Sequence, residues 1–158
     1  MIAQWITQEA VEALYADCAS ALDDGEFERW PSFFAENCSY CVTSKENVDH
    51  GWPIALMSCE TRGMILDRVM AVRQSMLIIP RVQRRIQSGV RIARLEGSVA
   101  HCRASFAVFE TFAGQPTTVF VTGRFVDEVV REGDALRFLK RACILDTPLV
   151  PNSLPFPL

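Results

Sequence analysis

An α+β fold, with helices packed on one face of a long curved sheet, is predicted by three observations. The C-terminal half, residues 88–146, alternates apolar and polar residues with a period of two. Turn chemistry breaks that stretch into four runs, 88–95, 98–112, 117–130 and 136–146. The N-terminal half instead spaces its apolar residues three and four apart, which is helical spacing. Helices first and a meander after is the order that segregates helices to one side of an antiparallel sheet.

Taken in order, Ile6, Ala10, Ala13, Leu14, Cys18, Ala21 and Leu22 form one stripe, broken only by Asp17. Thr7 suits the N-cap and Glu9 the first turn, and Asp23-Asp24-Gly25 ends the helix. Phe27, Trp30, Phe33 and Phe34 follow in a second helical segment that Pro31 must bend. These helices cover about residues 6–35. A strand is expected at 38–43, an exposed loop at 44–53 and a short strand at 54–57. Met64, Ile65, Val69 and Val72 mark a helix over 60–74. Residues 75–87 combine an apolar knot, Met76 to Pro80, with a basic one, Arg81, Arg84 and Arg85. Within the meander the inward face is expected to hold Ala100, Cys102, Ala104, Phe106, Val108 and Phe112, then Val119, Val121, Phe125 and Val129, then Leu139, Cys143 and Leu145. Residues 147–158 hold four prolines and no charge, and are too apolar for a solvated tail. They are expected to dock as an extended arm, on this chain or on a partner. The order as a whole fits one domain, 1–158, with the cone-shaped sheet of nuclear transport factor 2 and the cystatins.

A chain of 158 residues buries about 70% of its unfolded surface without a disulfide staple. The net charge of −3 argues against nucleic acid, whose phosphates require clustered Lys and Arg. No run is long and apolar enough for a membrane span. Met1 to Trp5 lacks the basic start of a secretory signal, so a cytoplasmic location is expected, with its six cysteines reduced.

Metal chemistry finds little support. The two histidines, His50 and His101, fall in a loop and near a strand start. Cys38 and Cys41 lie three apart in a strand, so their sulfurs diverge, and no second pair completes a zinc site. No phosphate-binding glycine loop and no nucleophile elbow is present. Acid–base candidates are Asp23, Asp24, Tyr40, Asp49, His50 and His101; each also has a plain structural role, as cap, solvated loop residue or half-buried strand residue. Arg81, Arg84 and Arg85 serve either as a solvated edge or as donors to carboxylates on another subunit. Only Lys45 and Lys140 accompany a chain otherwise rich in Arg, the cation enriched at interfaces.

The segments 27–34, 38–42, Glu46-Asn47 before Gly51, 64–69, 83–86 and 146–158 resemble, in order, the small (β) subunit of aromatic-ring-hydroxylating oxygenases, the Rieske non-haem iron enzymes. The flavour is that of salicylate hydroxylase and terephthalate dioxygenase small subunits. One departure is Arg84-Arg85 in place of Arg-His. The resemblance implies the cone fold, no cofactor in this chain, and a structural role. It implies a large α partner carrying a [2Fe-2S] Rieske cluster and mononuclear Fe(II), three α with three β chains, and an NADH-dependent reductase supplying electrons. The expected substrate is an aromatic carboxylic acid. Interface residues are expected at Arg68, Arg81, Arg84, Arg85, Pro151 and Phe156. The rival expectations are a stand-alone isomerase or dehydratase of the same fold and a small-ligand binding module.

Overall fold

The computed structural model describes residues 5–75, 78–151 and 153–158. Met76 and Leu77 of the apolar knot, Asn152 of the arm and residues 1–4 lie outside the described residues. Helix α1 spans Gln8–Asp23, and a 3-10 segment, Phe27–Phe33, runs straight into strand β1, Phe34–Ser44. There follow α2 (Lys45–His50), β2 (Met57–Cys59), α3 (Arg62–Met70) and a π-turn, Ala71–Ser75. The chain then makes β3 (Arg81–Glu96), β4 (Val99–Phe112), β5 (Thr118–Glu132) and β6 (Ala135–Leu145).

The six strands lie in the order β2-β1-β6-β5-β4-β3. β3 to β6 are the expected antiparallel meander, while β1 enters parallel to β6 and pairs antiparallel with β2. The core fills the space between sheet and helices with Trp30, Phe34, Tyr15, Tyr40, Phe125 and Phe138, each 2% exposed or less. Trp30, Phe34 and Tyr40 meet edge to face, and Tyr15 meets Phe125 and Phe138 the same way. Helices and curved sheet together make the expected α+β cone.

Several local expectations are corrected. The meander begins at Arg81 rather than residue 88, because the inward positions of its first turns hold Gln83 and Arg85 and so show no apolar period. The 44–53 loop contains α2, capped by Ser44, whose hydroxyl accepts from the Asn47 amide at 3.2 Å, and closed by Gly51 at φ 67°. None of its residues is buried, so it carries no stripe. The short strand sits at Met57–Cys59, with Ile54 and Leu56 turned to solvent. On α1 the buried stripe is rotated: Val11, Tyr15 and Ala19 face inward, while Ala13 and Asp17 do not. Two of the sheet's register shifts reset the parity of β5 and β6. One puts Phe120 inward and Val119 outward; the other buries Phe138 and displaces Leu139.

The free edge of β3 is covered by side chains of α1. At one end Gln8 Nε2 donates to the Val90 carbonyl at 2.6 Å and Gln8 Oε1 accepts from the Ile92 amide at 3.0 Å. At the other, both Asp23 carboxylate oxygens accept from the Arg85 amide at 3.1 Å. Exposed strand edges recruit foreign strands, and here the helix occupies the pairing groups first.

Candidate functional site

Strand parity should place only apolar side chains on the inner face of the sheet, yet ionisable groups stand at inward positions on four strands. On β5 and β6, Asp127 and Arg141 lie opposite each other in register and are almost wholly buried, with Arg141 Nε 3.4 Å from Asp127 Oδ2. The guanidinium is enclosed by rings: its carbon lies 3.8 Å from the Phe125 centroid, 4.1 Å from Phe138 and 4.8 Å from Tyr15. Its Nη1 donates to Cys18 Sγ at 3.6 Å. Among the described residues, the Tyr15 hydroxyl and both Asp127 oxygens make no hydrogen bond of ordinary geometry. Burial pushes the Asp127 carboxyl up to about 6, with the Arg141 charge opposing it. Burial likewise raises the Tyr15 hydroxyl and the Cys18 and Cys143 thiols, and lifts Cys102 to about 12. A carboxyl near 6 suits general base work, but a base must reach a substrate proton. Asp127 instead faces a guanidinium that rings hold in place.

The second inner network runs along the free edge. Asp23 Oδ1 accepts from Arg85 Nη1 at 2.7 Å, and Arg85 Nη2 donates to Gln83 Oε1 at 3.2 Å and to the Pro157 carbonyl at 2.5 Å. Gln83 Nε2 and Arg81 Nη1 both donate to Glu110 Oε2, at 2.9 and 3.1 Å. The Arg81 guanidinium also covers the Phe112 ring, 4.7 Å from its centroid. All these side chains are buried, so their charges are paired inside the chain.

The acid–base candidates read from sequence are scattered. Asp23 is the ion partner of Arg85 and Asp24 is the C-cap of α1. Tyr40 is fully buried and its hydroxyl accepts from the Leu158 amide at 2.9 Å. Asp49 pairs with Lys45 on exposed α2. His50 ends α2, bonded at Nδ1 to the Glu46 carbonyl at 2.9 Å and stacked on Trp52. His101, on β4, stands 3.2 Å from Glu96 across the β3–β4 turn. A Rieske cluster does not fit these donors. Neither histidine is grouped with the thiols, Cys41 is only half-buried on the opposite face of β1 from Cys38, and among the described residues no three His, Cys, Asp or Glu side chains converge. Of the expected interface residues, Arg84 and Pro151 are exposed, Arg68 is half-buried beside Asp67 and Cys59, and Phe156 stacks on Phe27 at 5.1 Å. Asp127, Arg141, Glu110 and Gln83 are not among the candidates that the sequence offers. For Asp127, Arg141 and Glu110 the signal is parity, since each sits where the inward alternation demands an apolar residue; Gln83 stands in a part of β3 that has no such alternation.

Comparison with known proteins decides the family. The model of the ring hydroxylating beta subunit matches residues 18–152. This chain belongs to the ring-hydroxylating β subunits. It is 31% identical over 137 residues to the anthranilate 1,2-dioxygenase small subunit of Burkholderia cepacia, covering 87% of this chain and 85% of that one. It is 26% identical over 153 residues to the β 2 subunit of the terminal oxygenase component of terephthalate 1,2-dioxygenase from Comamonas sp., covering 97% and 99%. A crystal structure assigned as the β subunit of an aromatic-ring-hydroxylating dioxygenase from Novosphingobium aromaticivorans superposes with a TM-score of 0.85 at 34% identity, covering 94% of both chains. In this β subunit the cone interior is occupied by its own rings and ion pairs. No helix among the described residues is long and apolar enough to cross a membrane.

Proposed function

We propose that this β subunit supports an oxygenase that hydroxylates an aromatic carboxylic acid, and that it turns over no substrate itself. The observation that carries the reading is the filled interior. Tyr15, Trp30, Tyr40, Phe125, Phe138 and the Asp127–Arg141 pair fill the space between the helices and the inner face of the sheet. The acid class is supported by the anthranilate and terephthalate relatives. The partner is a large α subunit that holds a [2Fe-2S] Rieske cluster and mononuclear Fe(II), in an assembly of three α and three β chains fed by an NADH-dependent reductase in the cytoplasm. The β chain positions the α chains so that the cluster of one faces the iron of the next. Arg84, Arg68 and Pro151 supply exposed or half-exposed contacts to that partner. Arg81, Arg85 and Phe156 act behind them by fixing the edge strand and the arm.

The test is co-purification of the tagged chain with its large subunit, followed by turnover of anthranilate, terephthalate and salicylate with the reductase added. Turnover is expected only when the large subunit is present, and substituting His50 or His101 by Ala should leave it unchanged. Turnover by the isolated β chain would contradict the reading.

A further inference from the structure

The chain's last twelve residues are attached differently from everything before them. The described residues among them form no strand or helix, and Pro148, Pro151, Pro155 and Pro157 have no amide to donate. Among the described residues of the arm, two long-range hydrogen bonds hold it, both at its end: the Pro157 carbonyl to Arg85 Nη2 at 2.5 Å and the Leu158 amide to the Tyr40 hydroxyl at 2.9 Å. Apolar burial accompanies them: Pro155 and Pro157 are buried as well. Phe156 lies parallel to Phe27, and Leu158, 2% exposed, enters the core. Leu149, by contrast, is 79% exposed, and Pro151 and Ser153 face solvent.

The receiving groups do not depend on the arm for their placement. Tyr40 lies within the β1 ladders, opposite Arg141 and Cys59, and meets Trp30 and Phe34 edge to face. Arg85 lies in the β3–β4 ladder and is gripped by Asp23 and Gln83. Pro155 and Pro157 keep the freed segment stiff and extended, so little entropy opposes its return. A segment outside every helix and ladder, held on a rigid seat by two hydrogen bonds and the burial of its own end, opens more readily than the ladders beneath it.

We propose that residues 154–158 are a releasable strap, seated on Tyr40, Arg85 and Phe27, that opens and closes while sheet and helices stay folded. Release uncovers the Arg85 Nη2 donor, the Tyr40 hydroxyl and the face of Phe27. Arg85 joins the strap's seat to the end of α1 through its pair with Asp23.

Hydrogen exchange of individual amides in the full chain tests this. Under native conditions the Leu158 amide is expected to exchange at least tenfold faster than the amides of Val121 and Phe125 in β5. Tyr40→Phe keeps the ring and removes the acceptor; it should accelerate Leu158 at least a further fivefold and leave the β5 amides unchanged. Arg85→Gln should also accelerate Leu158, and the Tyr40→Phe result stands alone if that variant does not fold. Exchange of Leu158 and the β5 amides at one common rate, shifted equally by Tyr40→Phe, would overturn the proposal and make the arm an integral part of the core.

Discussion

The Asp127–Arg141 pair concentrates the energetics of this chain at two residues. Each charge has been taken out of water, and each has the other and a set of rings in exchange. Breaking such a pair from one side strands a buried charge, so Arg141→Met is expected to cost about 3–5 kcal/mol in urea unfolding. Replacing Asp127 and Arg141 together by Leu and Met should cost much less, because no charge is then left behind. The pair also sets a pH dependence. Burial holds the folded-state carboxyl of Asp127 above the ordinary range, up to about 6, so folding favours its protonated form. That contribution is complete below the unfolded carboxylate pKa and is lost as the pH rises through about 6. Asp127→Asn should flatten stability against pH across that window, measured by urea titrations at stepped pH. The inward parity of these two positions was readable in the sequence, but their pairing was not. It depends on a β5–β6 register that a bulge at Leu139 shifts by one residue.

Elements were legible where burial imposes a period and illegible where it does not. The 3-10 segment, with its three buried aromatic rings, and β4, with five inward apolar residues, followed directly from spacing. α2 buries nothing and the start of β3 faces inward with Gln83 and Arg85, so both lacked an apolar pattern. The Val119-Phe120-Val121 run concealed its bulge because all three residues are apolar. Sheet closure depends on one residue that spacing did not single out. A β-carbon on Gly123 would overlap the Ile144 carbonyl oxygen of the neighbouring strand, and that backbone cannot yield cheaply. Gly123→Ala is therefore expected to destabilise by about 1–3 kcal/mol, through strain between β5 and β6, and to lower the thermal midpoint accordingly.

For the whole molecule, the sequence carried the cone fold and the family through ordered segments spread along the chain, while the partner surface was only partly legible. Arg81, Arg84 and Arg85 look equivalent as a basic knot. The β3 alternation separates them, with Arg84 outside and the other two paired within. Arg84→Glu should weaken co-purification with the large subunit and leave the melting curve of the isolated chain unchanged. Arg85→Glu should unfold or loosen the isolated chain, since it puts like charge against Asp23. The central claim concerns assembly, and the native mass of the complex isolated with this chain from cells grown on an aromatic acid tests it most directly. The account predicts a large assembly of this chain with a Rieske-type large subunit, containing iron. A lone monomer or a homo-oligomer without iron would contradict it.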